Sequence, residues 1–207
     1  RDYVEGDYKN VDDKPYGGGP GMVMKYRPIK AALEAAKISL PKGCPVVYLS
    51  PKGKPFDQAM AQKFSNMSSL ILLAGRYEGI DERLLESQID EEISVGDFVL
   101  SGGEIAAMAV IDAVIRLLPG VLGDSESAEE DSFMNGLLDY PHYTRPEDIE
   151  GRKVPDVLLS GDHAEILRWR RKQALGCSFL KRPDLLERMD LDVEQQLLLE
   201  EFLKEQR

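Results

Sequence analysis

Apolar residues recur at two different spacings along this 207-residue chain, and the changes of spacing mark out its elements. Ile29, Ala32, Leu33 and Ala36 fall on one face at helical spacing, which predicts a helix over 27–39. Val46-Val47-Tyr48-Leu49 follows Pro45 and is stopped by Ser50-Pro51. Such a short, unbroken apolar run is the pattern of a buried parallel strand. A helix over 56–64, a second buried strand from Leu70 to Ala74 ending at Gly75, and a short charged helix over 80–88 come next. A more irregular third strand is predicted over 92–99, interrupted at Gly96-Asp97. From Gly103 to Leu118 the chain is apolar almost all round, which predicts a helix buried on most sides. Strands alternating with helices indicate an α/β unit around a mostly parallel sheet.

The pattern changes beyond that helix. Gly123 to Asn135 is small, acidic and poor in apolar residues, and reads as an exposed, mobile linker. After it come helices over 162–176 and 192–205, the latter opened by Asp192 and Gln195 at nearly the spacing of a capping box. This tail reads as a small helical domain. Ahead of the first helix, Pro15 to Gly21 packs four glycines and two prolines into one short segment. That composition suits a loop approached closely by a ligand or a second backbone. It is not a P-loop, since no Gly-Lys-Ser/Thr follows.

Composition narrows the class. No apolar run nears the ~18 residues that a membrane span needs. Cys44 and Cys177 lie far apart and outside any CxxC pattern, so they read as reduced thiols of a cytoplasmic protein. The net charge of −11 argues against a bulk electrostatic binder of nucleic acid. The uneven spread of charge weakens that exclusion, because 151–188 carries nine Lys/Arg against five Asp/Glu, whereas 189–207 carries two against six. One basic patch, with Arg168, Arg170, Arg171 and Lys172 on about one helical turn and Trp169 and Leu167 as anchors, is the plausible footprint. Lys153, Lys181 and Arg182 extend it, although each side chain reads equally well as part of a solvated face.

Three segments at strand ends share a character: 48–51, 75–81 and 94–103. Ligands of open α/β sheets bind outside the carboxyl ends of the strands. The glycines there permit close backbone approach, and Leu49, Ile80, Val95 and Leu100 would wall a flat apolar slot that suits a purine. Pattern alone leaves equal room for glycines that merely end strands. No GxGxxG follows a first strand, which disfavours a dinucleotide dehydrogenase or a Rossmann-type methyltransferase. His142 and His163 are isolated and not at ligand spacing, so no His or Cys metal site is expected.

Seven motifs occur in a fixed order: 11–22 around the glycine-rich loop, Tyr48-Leu49-Ser50-Pro51, Gly75 to Arg83, Gly96 to Glu104, Glu130-Asp131-Ser132-Phe133, Tyr140 to Pro146, and Leu158 to His163. Together they resemble the bacterial tRNA (guanine-N1)-methyltransferases, members of the knotted SPOUT class, from about Asp12 to Gly176. The resemblance implies an α/β fold with a SPOUT-type trefoil knot over 1–122, an acidic linker over 123–136 and a helical tRNA-binding domain over 137–207. It also implies that a strand and helix precede the position of Arg1 in family members. Knotting is implied by the family alone.

The resemblance further implies methyl transfer from S-adenosylmethionine to the guanosine just 3′ of the anticodon, itself preceded by a guanosine. Donor contacts would fall on Tyr48, Leu49, Ser50, Pro51, Gly75, Tyr77, Gly79, Ile80, Ser94, Val95, Gly96, Leu100, Gly102 and Gly103. Glu78 matches a position near the target base and is counted with this pocket. Asp131 matches the general base, and Arg116 matches the cation that stabilises charge on the guanine oxygen. From the residues alone, Asp131 reads as a solvated end of the acidic linker, and Arg116 as a partner of Asp112 and of the helix dipole. The family implies a homodimer with the site at the subunit interface, tRNA held partly by the basic helix, and a reaction that uses magnesium (Mg2+). A silent RNA-binding module on the same fold is the competing class, disfavoured by Asp131, Arg116 and the glycine-rich loops occurring together.

Overall fold

The computed structural model describes residues 1–4, 9–121 and 131–206. The chain divides into two compact units, 1–121 and 122–207.

In the first unit a two-residue pairing, β1 (Asp12–Asp13) with β2 (Val23–Met24), closes the glycine-rich segment into a loop. Helix α1 (Tyr26–Lys37), strand β3 (Val46–Pro55), helix α2 (Gln58–Ser65) and strand β4 (Ile71–Ala74) follow. Helix α3 (Glu82–Gln88), strand β5 (Glu91–Ser94) and helix α4 (Glu104–Ile115) complete the unit. The sheet runs β4-β3-β5 with both pairings parallel. Period-two alternation in β3 splits the core into two layers. Val46 and Tyr48 pack with Ile29, Leu33, Ile80 and Leu84 on one face. Val47 and Leu49 pack with Phe64, Ile93, Ala106 and Val110 on the other. Burial of these two faces is the main driving force for the layered arrangement.

Three details depart from the expectations of the sequence. Strand β3 does not stop at Leu49: the register shifts, and Lys54 and Pro55 pair with Ile93 and Ser94 after Leu49 has already paired with Ile93. Gly53 makes this possible, because a Cβ there would lie 2.4 Å from the Ile93 amide nitrogen. Strand β4, an unbroken apolar run, is half-buried along its length because it lies at the edge of the sheet among the described residues. Helix α4 is not buried on most sides. Ala106 and Val110 face the core, while Ile105 and Met108 are 65% and 69% exposed and Ile111 and Ile115 continue the row. Its all-apolar composition hides which face the sheet takes.

The second unit holds a small hairpin, β6 (Asp148–Ile149) with β7 (Arg152–Lys153), then α5 (Asp156–Leu159), α6 (His163–Lys181), α7 (Pro183–Leu186) and α8 (Val193–Glu205). Asp162 caps α6 by accepting from the amides of Ala164 and Glu165. Asp192 and Gln195 form the full capping box of α8. Helix α6 runs five residues past Gly176, its expected end. That glycine is a packing site, since a Cβ there would lie 2.4 Å from the Phe202 ring of α8. Leu175 and Ser178, not Trp169 and Leu167, are the deeply buried side chains of α6; Leu167 is exposed and Trp169 leans on Tyr143 at 6.3 Å. Of the expected acidic linker, 123–130 lies outside the described residues. Asp131 to Leu137 form a turn joined to the second unit: the Ser132 hydroxyl donates to Asp139 at 2.8 Å, and the Leu138 amide donates to Ser178 Oγ at 2.8 Å.

Candidate active site

Residues 48–52 in the middle of β3, not at its end as expected, and the segments that follow β4 and β5 enclose one cavity of about 240 Å³. Every residue expected to contact the methyl donor lines it, from Tyr48 to Pro51, through Gly75 and Tyr77 to Ile80, to Ser94, Val95, Gly96, Leu100, Gly102 and Gly103. Leu49 and Ile80 are buried and come from opposite core layers, so the apolar walls are anchored on both sides of the sheet.

The loops are held by contacts that need glycine. Gly103 donates its amide to the Gly75 carbonyl at 2.9 Å, and a Cβ on Gly103 would lie 2.8 Å from the Ala74 Cα. Arg76 bridges to Glu104 at 2.8 Å and pairs its backbone with Gly102, fastening the second loop to the third. The Ser94 hydroxyl donates to the Gly96 carbonyl at 3.0 Å, which turns the chain immediately after β5. Strand β5 therefore ends at Ser94, short of the expected Val99.

The glycine-rich segment does not line this cavity but is bonded to its second loop. Glu78 donates its amide to Met22 at 3.0 Å, and Met24 donates to Gly79 at 2.9 Å. Gly21 meets the Glu78 side chain, which a Cβ would strike at 2.4 Å, whereas nothing lies within 4 Å of a Cβ added at Gly17, Gly18 or Gly19. Asp81 caps α3 and is held below the usual carboxylate range, chiefly by its hydrogen bonds with the Arg83 side chain. Burial, then the carboxylates of Glu92 and Glu82, push the Tyr48 hydroxyl above the ordinary tyrosine value. Tyr48 thus stays neutral at physiological pH.

Arg116 is the exposed C-cap of α4, its amide bonded to the Asp112 carbonyl at 3.2 Å. Asp131 is half-buried in the second unit, on a separate cavity of about 500 Å³ that Tyr140, Arg170 and Arg171 also line. The Arg170 guanidinium lies 4.8 Å from the Tyr140 ring centroid. The other two expected phosphate-binding cations are engaged elsewhere: Arg168 donates to both Glu201 oxygens at 2.6 and 2.8 Å, and Lys172, buried, pairs with Glu205. Arg171, on the cavity, also reaches Glu194 of α8 at 3.9 Å, so three of the four cations of the expected tRNA-binding quartet face carboxylates of α8. Among the described residues no cluster of three or more His, Cys, Asp or Glu could hold a metal ion. No helix there is long and apolar enough to cross a membrane.

Sequence reasoning singled out neither Arg76 nor Glu92, both of which line the first cavity. Arg76 stands between glycine and tyrosine with no pattern to mark it. Glu92 is one of two adjacent carboxylates on β5, and only strand alternation could have shown that it, unlike Glu91, faces Tyr48.

The family model described as tRNA (Guanine-1)-methyltransferase TrmD matches residues 1–188. A relative from Nitrosococcus oceani, named tRNA (guanine-N(1)-)-methyltransferase, is 60% identical over 205 residues, covering 99% of this chain and 81% of its own. Relatives of the same name from Marinomonas sp. and Methylococcus capsulatus are 59% and 60% identical, each covering 99% of this chain and 82% of their own.

Proposed function

Because the chain belongs to the tRNA (guanine-1)-methyltransferase family, we propose that it methylates N1 of the guanosine immediately 3′ of the anticodon, where a guanosine precedes it, using S-adenosylmethionine in the cytoplasm. The observation that carries the proposal is the convergence of three loops on one cavity that offers backbone groups and apolar walls. A flat adenine fits such a lining, and Gly79, with φ of +137° and nothing within 4 Å of an added Cβ, leaves room beside it. When bound, the donor supplies a methyl group on a positively charged sulfur. Magnesium, which the family reaction uses, finds no protein-built cage among the described residues.

Guanine N1 carries a proton at neutral pH and is a poor nucleophile until it loses it. In this proposal the Asp131 carboxylate takes that proton, so that N1 can accept the methyl group that the bound donor would supply. As N1 loses its proton, negative charge gathers on the guanine oxygen, where the Arg116 guanidinium stabilises it until the methyl group is in place. Glu78 lies near the base, and Arg168, Arg170, Arg171 and Lys172 grip the tRNA backbone, with the three cations paired to α8 exchanging partners. The exposed row Ile105, Met108, Ile111 and Ile115 runs along the helix that ends at Arg116, and supports a homodimer whose interface includes the site. A trefoil knot over 1–122 is part of the same proposal; the double pairing of Ile93 with Leu49 and Lys54 is in keeping with it. The proposed architecture is completed by the linker 123–136 and a tRNA-binding domain over 137–207.

The chemical step is tested with Asp131→Asn in single-turnover methyl transfer at saturating tRNA. A rate loss of ~10²–10⁴ with tRNA affinity retained is expected. A wild-type rate would remove Asp131 from the role of base.

A further inference from the structure

Glu92 carries a carboxylate oxygen, Oε1, that is shielded from solvent and has no hydrogen-bond partner. A polar atom withdrawn from water without a partner is costly, and most buried polar atoms are satisfied. Its neighbour on the strand sharpens the contrast. Glu91 turns to the opposite face and pairs with Lys63 at 2.8 Å. Glu92 sits opposite Tyr48 in the parallel register, on the same face of the sheet, and both line the donor cavity. Glu82 lines it too, and Tyr48, which feels both carboxylates, supplies no positive charge. The two cations of the cavity lining are otherwise placed: Arg76 is bonded to Glu104, and Lys52 is exposed and makes no bond to that oxygen. This part of the cavity is therefore negative and short of a cation.

We propose that Glu92 is a specificity-determining residue that favours the positively charged methyl donor over its neutral demethylated product. The inference rests on adenosylmethionine occupying this cavity. The donor carries a sulfonium and an ammonium against one carboxylate, for a net positive charge. The product has lost the sulfonium charge with the methyl group and is neutral overall. A carboxylate with one desolvated oxygen lowers the free energy of the cationic ligand and gives little to the neutral one. Product is then released more readily, and the unsatisfied oxygen of the empty protein is the cost of that preference.

The test is calorimetric binding of three probes to the wild type and to Glu92→Gln. The probes are S-adenosylmethionine, sinefungin (an amine cation replaces the methylated sulfonium) and S-adenosylhomocysteine. Glu92→Gln is expected to weaken the two cationic probes about tenfold or more and the neutral one less than about twofold. Glu92→Asp, which keeps the charge, is expected to retain the preference. The ligand-free Glu92→Gln protein is expected to melt no lower than the wild type, since no native bond to Oε1 is lost. Equal weakening of all three probes, or no weakening, overturns the inference while leaving the donor site in place. Failure of the wild type to bind any probe overturns it together with the proposed methyl donor.

Discussion

Arg76 and Glu104 meet at 2.8 Å, joining the loop after β4 to the first turn of α4 beside Gly102. A Cβ on Gly102 would lie 3.0 Å from Arg76 Nε, so the pair and the glycine are parts of one arrangement. Glu104 is held below the usual glutamate range first by its own backbone N–H and then by Arg76. A depressed carboxylate contributes above its unfolded pKa and loses that contribution as pH falls through its folded pKa. Donor affinity is therefore expected to be flat through neutral pH and to weaken only in acid, below the ordinary glutamate range. Glu104→Gln is expected to weaken the donor at neutral pH and to reduce that acid limb. Titration calorimetry across pH checks this, and an unchanged acid limb in the variant would assign it to another group.

Gly53 lies against the backbone of Glu92 and Ile93 at 2.4–2.5 Å from an added Cβ. Backbone cannot step aside as a side-chain tip can. Gly53→Ala is expected to destabilise the first unit by ~1–3 kcal/mol, the usual range for overpacking, and to disturb the donor cavity through β5. Denaturant unfolding followed by a binding assay checks both effects. A neutral substitution would mean that the return of β3 onto β5 is loosely held.

The six longer helices and the three parallel strands were legible because burial leaves a period in the sequence, whereas the one-turn helices Asp156–Leu159 and Pro183–Leu186 are too short to show one. Val46 to Leu49 is apolar on both faces since both faces are covered. The return of β3 through Lys54 and Pro55 had no such trace, because it depends on one glycine against another strand. The exposed row of α4 was hidden by an apolar composition that does not distinguish core from open face. The pairing of α6 cations was hidden for a different reason: Glu201 and Glu205 stand 33 residues away from Arg168 and Lys172. Charge counts gave a basic segment and an acidic tail without showing that they neutralise one another.

That neutralisation gives a direct consequence for tRNA. Glu201 is held below the usual glutamate range, first by its hydrogen bond with Arg168, so the pair persists at neutral pH and opens only in acid. Since Arg168 leaves Glu201 when it takes phosphate, Glu201→Gln is expected to tighten tRNA binding while leaving the number of phosphate contacts, and so the salt slope, nearly unchanged. Binding measured over a salt series checks this. An unchanged affinity would leave Arg168 as a purely structural cation.

Both the reaction and its position are read in one assay, in which the chain is incubated with S-adenosylmethionine and an unmodified tRNA transcript and the methylated nucleoside is identified. A second transcript carries adenosine in place of the guanosine 3′ of the anticodon. The first transcript is expected to yield 1-methylguanosine and the second no methylated nucleoside. Methylation of both, or a methyl group at another guanine atom, would overturn the proposed function.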